Sequence, residues 1–301
     1  MTVVDVHAHV IVPGLGAETE WVDGQQVVRL DGREIRSAVR EFVDVGRILE
    51  EQDAAGVDRV LLCPWVNLCG RETGRQNEAL AALVGPRVAC LGTVDPEQPD
   101  ELLQVMADGR LSGVEVPASV RSRYLGHEAL RDFWAAAEET GAIVFVHPTT
   151  KGFTDPVFDE HYLWNTVGNP LETTVTAAQL VMSGVLDEHP RLRVVLAHGG
   201  GAILSLRGRL AHEQSFHAPG RDVRAALRRF HYDTVVHDED VLRELVDFAG
   251  ADRVLCGSDY PFDMGAERPA GIVRALGLPA EEEAAILGGN ALRLLGQEDR
   301  S

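Results

Sequence analysis

His7 and His9 stand one residue apart at the end of the short apolar run Val3–Val6. Alternate side chains of a β-strand share a face, so both imidazoles would leave the strand end in one direction. Two converging imidazoles suit a divalent metal with nitrogen and oxygen ligands, zinc above all. Taken alone, the pair reads equally well as two surface histidines near a terminus. Three further apolar runs end the same way: Ala142–Val146 leads into His147, Arg193–Ala197 into His198, and Arg253–Ser258 into Asp259. A lone strand-end histidine is more often structural than functional. Four histidines and an aspartate at such positions make a metal site the better account.

The elements that must position these groups alternate along the chain. Strand-like runs fall at Val3–His9, Val57–Cys63, Arg87–Thr93, Gly113–Pro117, Ala142–His147, Arg193–His198, His231–Thr234 and Arg253–Ser258. Helical patterns lie between them, at 38–55, 72–84, Leu102–Ala107, 127–140, Pro170–Ser183, in two pieces over 202–228, and at 238–249. Eight strands alternating with helices predict an α/β fold, a (β/α)8 TIM barrel, with a doubly wound open sheet as the other arrangement. Catalytic groups of such barrels collect at the C-terminal strand ends, where these five residues fall. No repeat, linker or low-complexity run divides the chain, so one domain over 1–301 is expected, with 11–35 as an irregular excursion or small hairpin. Residues 149–168 are expected as an aromatic loop containing Phe153, Phe158, Tyr162 and Trp164.

Composition narrows the function. The formal charge of −19 argues against nucleic acid, whose phosphates need a basic surface. An anionic substrate would have to be drawn in by local cations against that overall field. No run of 18 apolar residues marks a membrane span, and no basic segment precedes an apolar core at the start, so a cytoplasmic protein is expected. The four cysteines, Cys63, Cys69, Cys90 and Cys256, show no CxxC spacing and read as free thiols.

The motifs Asp5-x-His7-x-His9, Val146-His147-Pro148, His198-Gly199-Gly200-Gly201 and Gly257-Ser258-Asp259-Tyr260-Pro261-Phe262 resemble the amidohydrolase superfamily. The similarity is closest to the branch of aminocarboxymuconate-semialdehyde decarboxylase and related metal-dependent decarboxylases. It spans nearly the whole chain, and it implies a distorted TIM barrel. By this resemblance His7, His9, His147 and Asp259 match metal ligands for one divalent ion per chain, and His198 matches a catalytic histidine beside a metal-activated water. Arg36 and Arg209 match residues holding a substrate carboxylate, the second reaching across from a partner subunit of a homodimer. Trp164 matches an aromatic residue of the active-site region. Binuclear members carry a bridging lysine on the fourth strand. Here that strand has Glu115 instead, and Lys151, the only lysine, lies elsewhere, so a mononuclear site is expected.

These features imply a zinc-dependent non-oxidative decarboxylase of an unsaturated or aromatic carboxylic acid. Hydrolysis of a lactone, ester or amide needs the same ligands, and only the arginines favour decarboxylation. A non-catalytic metal-binding barrel is the alternative outside enzymes, and the intact ligand set with His198 argues against it.

Overall fold

The apolar runs become eight parallel strands around one axis. The structure, a computed structural model, describes residues 1–12, 15, 17–22, 25–30, 33–35, 43–149, 152–217 and 220–297. The barrel strands are β1 (Val4–Val10), β2 (Arg59–Pro64), β3 (Val88–Cys90 continued by Gly92–Thr93), β4 (Gly113–Pro117), β5 (Ile143–His147), β6 (Arg193–Leu196), β7 (His231–Asp233) and β8 (Val254–Leu255). Each pairs in parallel with the next. Between β8 and β1 the ring closes through backbone bonds from Val6 N–H to the Cys256 carbonyl (2.9 Å) and from Asp259 N–H to the His7 carbonyl (2.7 Å). The helices between strands include α1 (Val45–Ala54), α2 (Thr73–Ala81), α3 (Pro99–Asp108), α4 (Arg131–Thr140), α5 (Asn169–Met182), α6 (Ile203–His217) and α7 (Glu239–Ala249). Among the described residues no helix is long and apolar enough to cross a membrane.

Local sequence explains why these helices start and stop where they do. Asp238 caps α7 by accepting from the backbone N–H of Asp240 and Val241, and two acids in the first turn favour its positive end. Leu242, Leu245, Val246 and Ala249 then recur at helical spacing and are buried. α3 opens on Pro99 and ends at Gly109, and α4 ends at Gly141; both glycines take the left-handed conformation that closes a helix.

Apolar residues occupy two layers. One packs between the strands and the helices; the other fills the barrel interior with Val4, Val6, Leu61, Phe145, Val195 and Leu255 among its members. A β-bulge lies in β1. Asp5 pairs with Val60 and Ala8 with Leu62, so β1 spends one residue more than its partner. Val4 and Val6 therefore point inward before the bulge and His9 points inward after it, while Ala8 and Val10 pack outward. Asp5 ties the region together, accepting from the N–H of His7 (2.9 Å) and Ser258 (3.0 Å) and from Gln52 of α1 (2.8 Å).

The barrel and its strand order agree with expectation; several details differ. The third strand breaks at Leu91, because Val88–Cys90 pairs with β2 and Gly92–Thr93 with β4, and the Asn77 amide braces Thr93 through both its backbone groups. Of the two arrangements expected for 11–35, the hairpin is the nearer: Ala17–Val22, Gln25–Leu30 and Arg33–Ile35 pair antiparallel as a three-stranded sheet. The helix expected from 38 begins at Val45 in the described part, where Asp44 caps it, and 38–42 lie outside the described residues. Within 149–168 stand two short helical turns, Pro156–Asp159 and Trp164–Gly168.

Phe145 fills the barrel interior directly beneath the His7 ring, their centroids 4.8 Å apart. Phe145→Ala is expected to lower stability by about 3–5 kcal/mol, read from urea unfolding. A loss below about 1 kcal/mol would mean that the interior layer closes over the gap.

Candidate metal centre

The strand ends bring the five polar residues into one cluster at the mouth of the barrel. Ligand-capable atoms of His7, His147, His198 and Asp259 all lie within 4.8 Å of one another. His9 lies alongside, its Nε2 facing His7 Nε2 at 3.0 Å and Asp259 Oδ1 at 3.1 Å. Asp259 is the hub: Oδ1 is 3.2 Å from His7 Nε2 and 4.0 Å from His147 Nε2, and Oδ2 is 3.2 Å from His198 Nε2. His7 and His9 are fully buried, His147 and Asp259 nearly so. His198 and Asp259 hold left-handed backbone angles, φ 56° and 60°, as does His237 with φ 58°. Such angles are costly for residues with a Cβ and gather where a side chain must be aimed.

The His7 and His147 rings are each oriented by a group behind them. Asp233, buried in β7, accepts from His7 Nδ1 at 2.6 Å and also from the backbone N–H of His198 (3.0 Å), Gly199 (2.8 Å) and Val235 (3.1 Å). His147 Nδ1 donates to the Pro148 carbonyl at 2.9 Å. These bonds leave Nε2 of both rings as the lone-pair atom turned to the cluster. Behind His9 stands Glu115, its carboxylate 3.8 Å from Nδ1 and wholly buried. The Gly199–Gly201 turn, left-handed at all three residues, lets the chain leave β6 under the helices. A Cβ on Gly201 would sit 2.0 Å from the Pro170 carbonyl oxygen.

The electrostatics favour a cation among these groups. Burial alone would keep His7 neutral, yet the Asp259 and Asp233 carboxylates raise its pKa well above the usual value. Burial pushes His9 down to about 4 and, with the neighbouring imidazoles, holds His147 well below its ordinary value. Burial opposes the charge of Asp259, but His7 and bonds from His198 and His9 hold its pKa well below normal. Burial also raises Glu115 well above the carboxylate range. His147 Nε2 is buried without a hydrogen-bond partner. An unpartnered lone pair beside a carboxylate and two more imidazoles is the donor set of a divalent ion. The 3.0 Å separation of the His7 and His9 nitrogens is close to the roughly 3.3 Å expected of neighbours on one tetrahedral zinc. The residues fit one divalent metal ion.

A cavity of about 230 Å³ opens beside the cluster, with His198 and Asp259 in its lining and walls that include Pro170, Val235, Val236 and Met264. No arginine or lysine lines it among the described residues. Arg36 lies outside the described residues. Arg209 is exposed on α6. Trp164 is half-buried, set edge-on to Tyr162 with ring centroids 4.9 Å apart, while its neighbours Asn165 and Thr166 reach the cavity lining. Sequence reasoning missed Asp233; its signal was an acid inside a short apolar strand between Tyr232 and Thr234.

With this geometry, the chain belongs to the amidohydrolase family, whose profile matches residues 4–297. Among its relatives, the 2-amino-3-carboxymuconate-6-semialdehyde decarboxylase of Dictyostelium discoideum is 31% identical over 205 residues, 65% of this chain and 56% of that protein. The 6-methylsalicylic acid decarboxylase of Penicillium expansum is 32% identical over 189 residues, 58% of this chain and 56% of that one. The chain thus matches little more than half the length of these relatives. The solved structure of 5-carboxyvanillate decarboxylase from Sphingomonas paucimobilis superposes with a TM-score of 0.82 at 23% identity, covering 98% of this chain and 99% of the other. That likeness establishes the distorted TIM-barrel fold.

Asp233→Asn keeps the shape of the group behind His7 but removes its charge. Metal affinity, measured by competition with a chromophoric chelator, should fall about 10–100-fold. An unchanged affinity would show that His7 is held by packing alone.

Proposed function

We propose that this chain is a zinc-dependent, non-oxidative decarboxylase of an unsaturated or aromatic carboxylic acid. The observation that carries the reading is the placement of His198 and Asp259 in an apolar-walled cavity of a chain whose relatives are named for such decarboxylations. His7, His9, His147 and Asp259 would hold one zinc ion. Bound there, the ion supplies a Lewis acid that stabilises negative charge developing on the substrate. His198 does the proton work. Its backbone N–H is fixed by Asp233, and its Nε2 lies 3.2 Å from Asp259 Oδ2, at the boundary of cluster and cavity. As the bond to the carboxylate carbon breaks, its electron pair stays on the substrate carbon. A proton passed through His198 Nε2 takes the place of CO2.

No described arginine or lysine lines the cavity, so a guanidinium to hold the carboxylate would have to come from elsewhere. Arg209 of a second copy fits that need. α6 buries only Ile203, Leu204 and Gln214 of its 15 residues. Leu206 and Phe216 are exposed at 36% and 69%, and their spacing places them on the same helix face as Arg209. We read this face as a homodimer contact that carries Arg209 to the partner's cavity, where its fork would grip the carboxylate at two points.

Hydroxybenzoates and carboxymuconate-like acids, offered in turn and scored for CO2 release, test the reaction. Release from none of them, with hydrolysis of an ester or lactone instead, would make the chain a hydrolase. Elemental analysis should find one zinc per chain. His198→Ala should retain that metal and lose about 10²–10⁴-fold in turnover. For the dimer, Arg209→Ala and Asp259→Ala should each be nearly inactive. Co-expressed, they should recover activity through mixed dimers having one complete site. Mixed dimers that form and remain inactive would place Arg209 outside the partner's site.

A further inference from the structure

The start of α5 is a dense set of polar side chains in an apolar setting. Nearly all of them are spoken for within the protein. Glu172, fully buried, accepts from the hydroxyls of Ser119 (2.8 Å) and Thr149 (2.6 Å). Thr173 donates to the Asn169 carbonyl (3.4 Å), Thr174 to the Pro170 carbonyl (2.7 Å), and Thr176 to the Ala118 carbonyl (2.6 Å). Thr174 also accepts from the Ala202 N–H at 2.8 Å, which ties α5 to the turn after His198.

Asn169 is the exception. It is the first residue of α5, only 8% exposed, and its side-chain amide makes no hydrogen bond among the described residues. Its Oδ1 is buried without a partner. Asn169 lines the same cavity as His198 and Asp259. A buried amide is costly to leave unpaired, and such groups in native proteins are almost always matched by protein, water or ligand. The helix carrying it is pinned from three sides, so the amide is held in place before anything binds.

The chemistry of the amide selects its partner. It offers both a donor and an acceptor and carries no charge. A carboxylate, which only accepts, is met better by a guanidinium. A hydroxyl both donates and accepts, so it pairs with the amide whichever way the group is turned. The nearby walls, Pro170, Val235, Val236 and Met264, suit the faces of a flat ring.

We propose that Asn169 is a specificity-determining residue, reading a hydroxyl on the ring of the substrate while the carboxylate is held elsewhere. The proposal rests on the reading of the chain as a decarboxylase of carboxylic acids and names the substituent its cavity selects. Ligands lacking the hydroxyl leave the amide unpaired in the filled cavity and bind more weakly for that reason.

The test compares protein and ligand changes together. Benzoate and its 2-, 3- and 4-hydroxy derivatives are titrated calorimetrically into the metal-loaded protein and into Asn169→Leu, which keeps volume and removes both hydrogen-bonding atoms. The unaltered protein should bind at least one hydroxybenzoate about 10-fold tighter than benzoate. In Asn169→Leu that margin should shrink to about one, with benzoate binding as well as before or better. Asn169→Ala serves as a second variant if leucine impairs folding, which circular dichroism would reveal. Direct contact of the hydroxyl with the metal would leave the margin intact in both variants and overturn the proposal. The absence of any margin in the unaltered protein would overturn it too. CO2 release, followed on the same samples, separates the two readings. A margin that collapses without CO2 release from any acid sinks the decarboxylase and spares Asn169. CO2 release with an unaffected margin does the reverse.

Discussion

The constraint on which the mouth of this barrel depends is the cost of burying charge. Asp233, Asp259 and Glu115 are carboxyl groups taken almost wholly out of water, together with three imidazoles. An isolated buried carboxylate is too expensive to persist, so each must be compensated or neutral. Asp233 is compensated by three backbone N–H groups and the His7 ring. Asp259 has its imidazole ring of neighbours, and Glu115 is pushed toward its neutral form. The ring orientations that suit a metal ion are therefore the same ones that make the burial tolerable. Stability and ligand geometry are one arrangement.

This also explains the division of labour along the strands. Lower in the barrel, Val4, Phe145, Val195 and Leu255 interlock as an apolar plug. Two to four residues further on, each of those strands turns polar, at His7, His147, His198 and Asp259. The plug provides the rigid floor against which the imidazoles are set, as the contact of Phe145 with His7 shows. The loops above can then vary in sequence without disturbing either layer, and they carry the cavity walls.

Much of this was legible in the sequence because it rests on short-range pattern. Apolar runs ending in His147, His198 and Asp259 announced both the strands and the cluster at their ends. The strand order followed from the alternation with helices. What was not legible depends on partners distant in the chain. Asp233 looked like an ordinary strand acid, and only folding brings it 226 residues back to His7. The break in β3 depends on the Asn77 amide, and the unpaired state of Asn169 depends on every neighbour that might have bonded it. Over 17–35 a hairpin was legible only as one of two alternatives, because its polar strands, such as Ala17–Val22 and Arg33–Ile35, lack a regular apolar alternation.

The bulge in β1 bears on how such a centre could arise. Val4 and Val6 face the interior, and the ladder with β2 would by parity send His7 and His9 outward. The extra residue between Asp5 and Ala8 reverses that parity, and both rings follow the valines inward. Seen historically, the ancestral event need not have been an exchange of side chains at all. With the valines kept inward, a one-residue insertion between Asp5 and Ala8 would turn a pair of outward histidines into the lumen in one step. Its deletion would abolish the centre just as abruptly while leaving every ligand present in the gene. Counting ligands in a related sequence is therefore an insufficient diagnosis of a working centre; the length of the segment from Asp5 to Ala8 has to be counted as well.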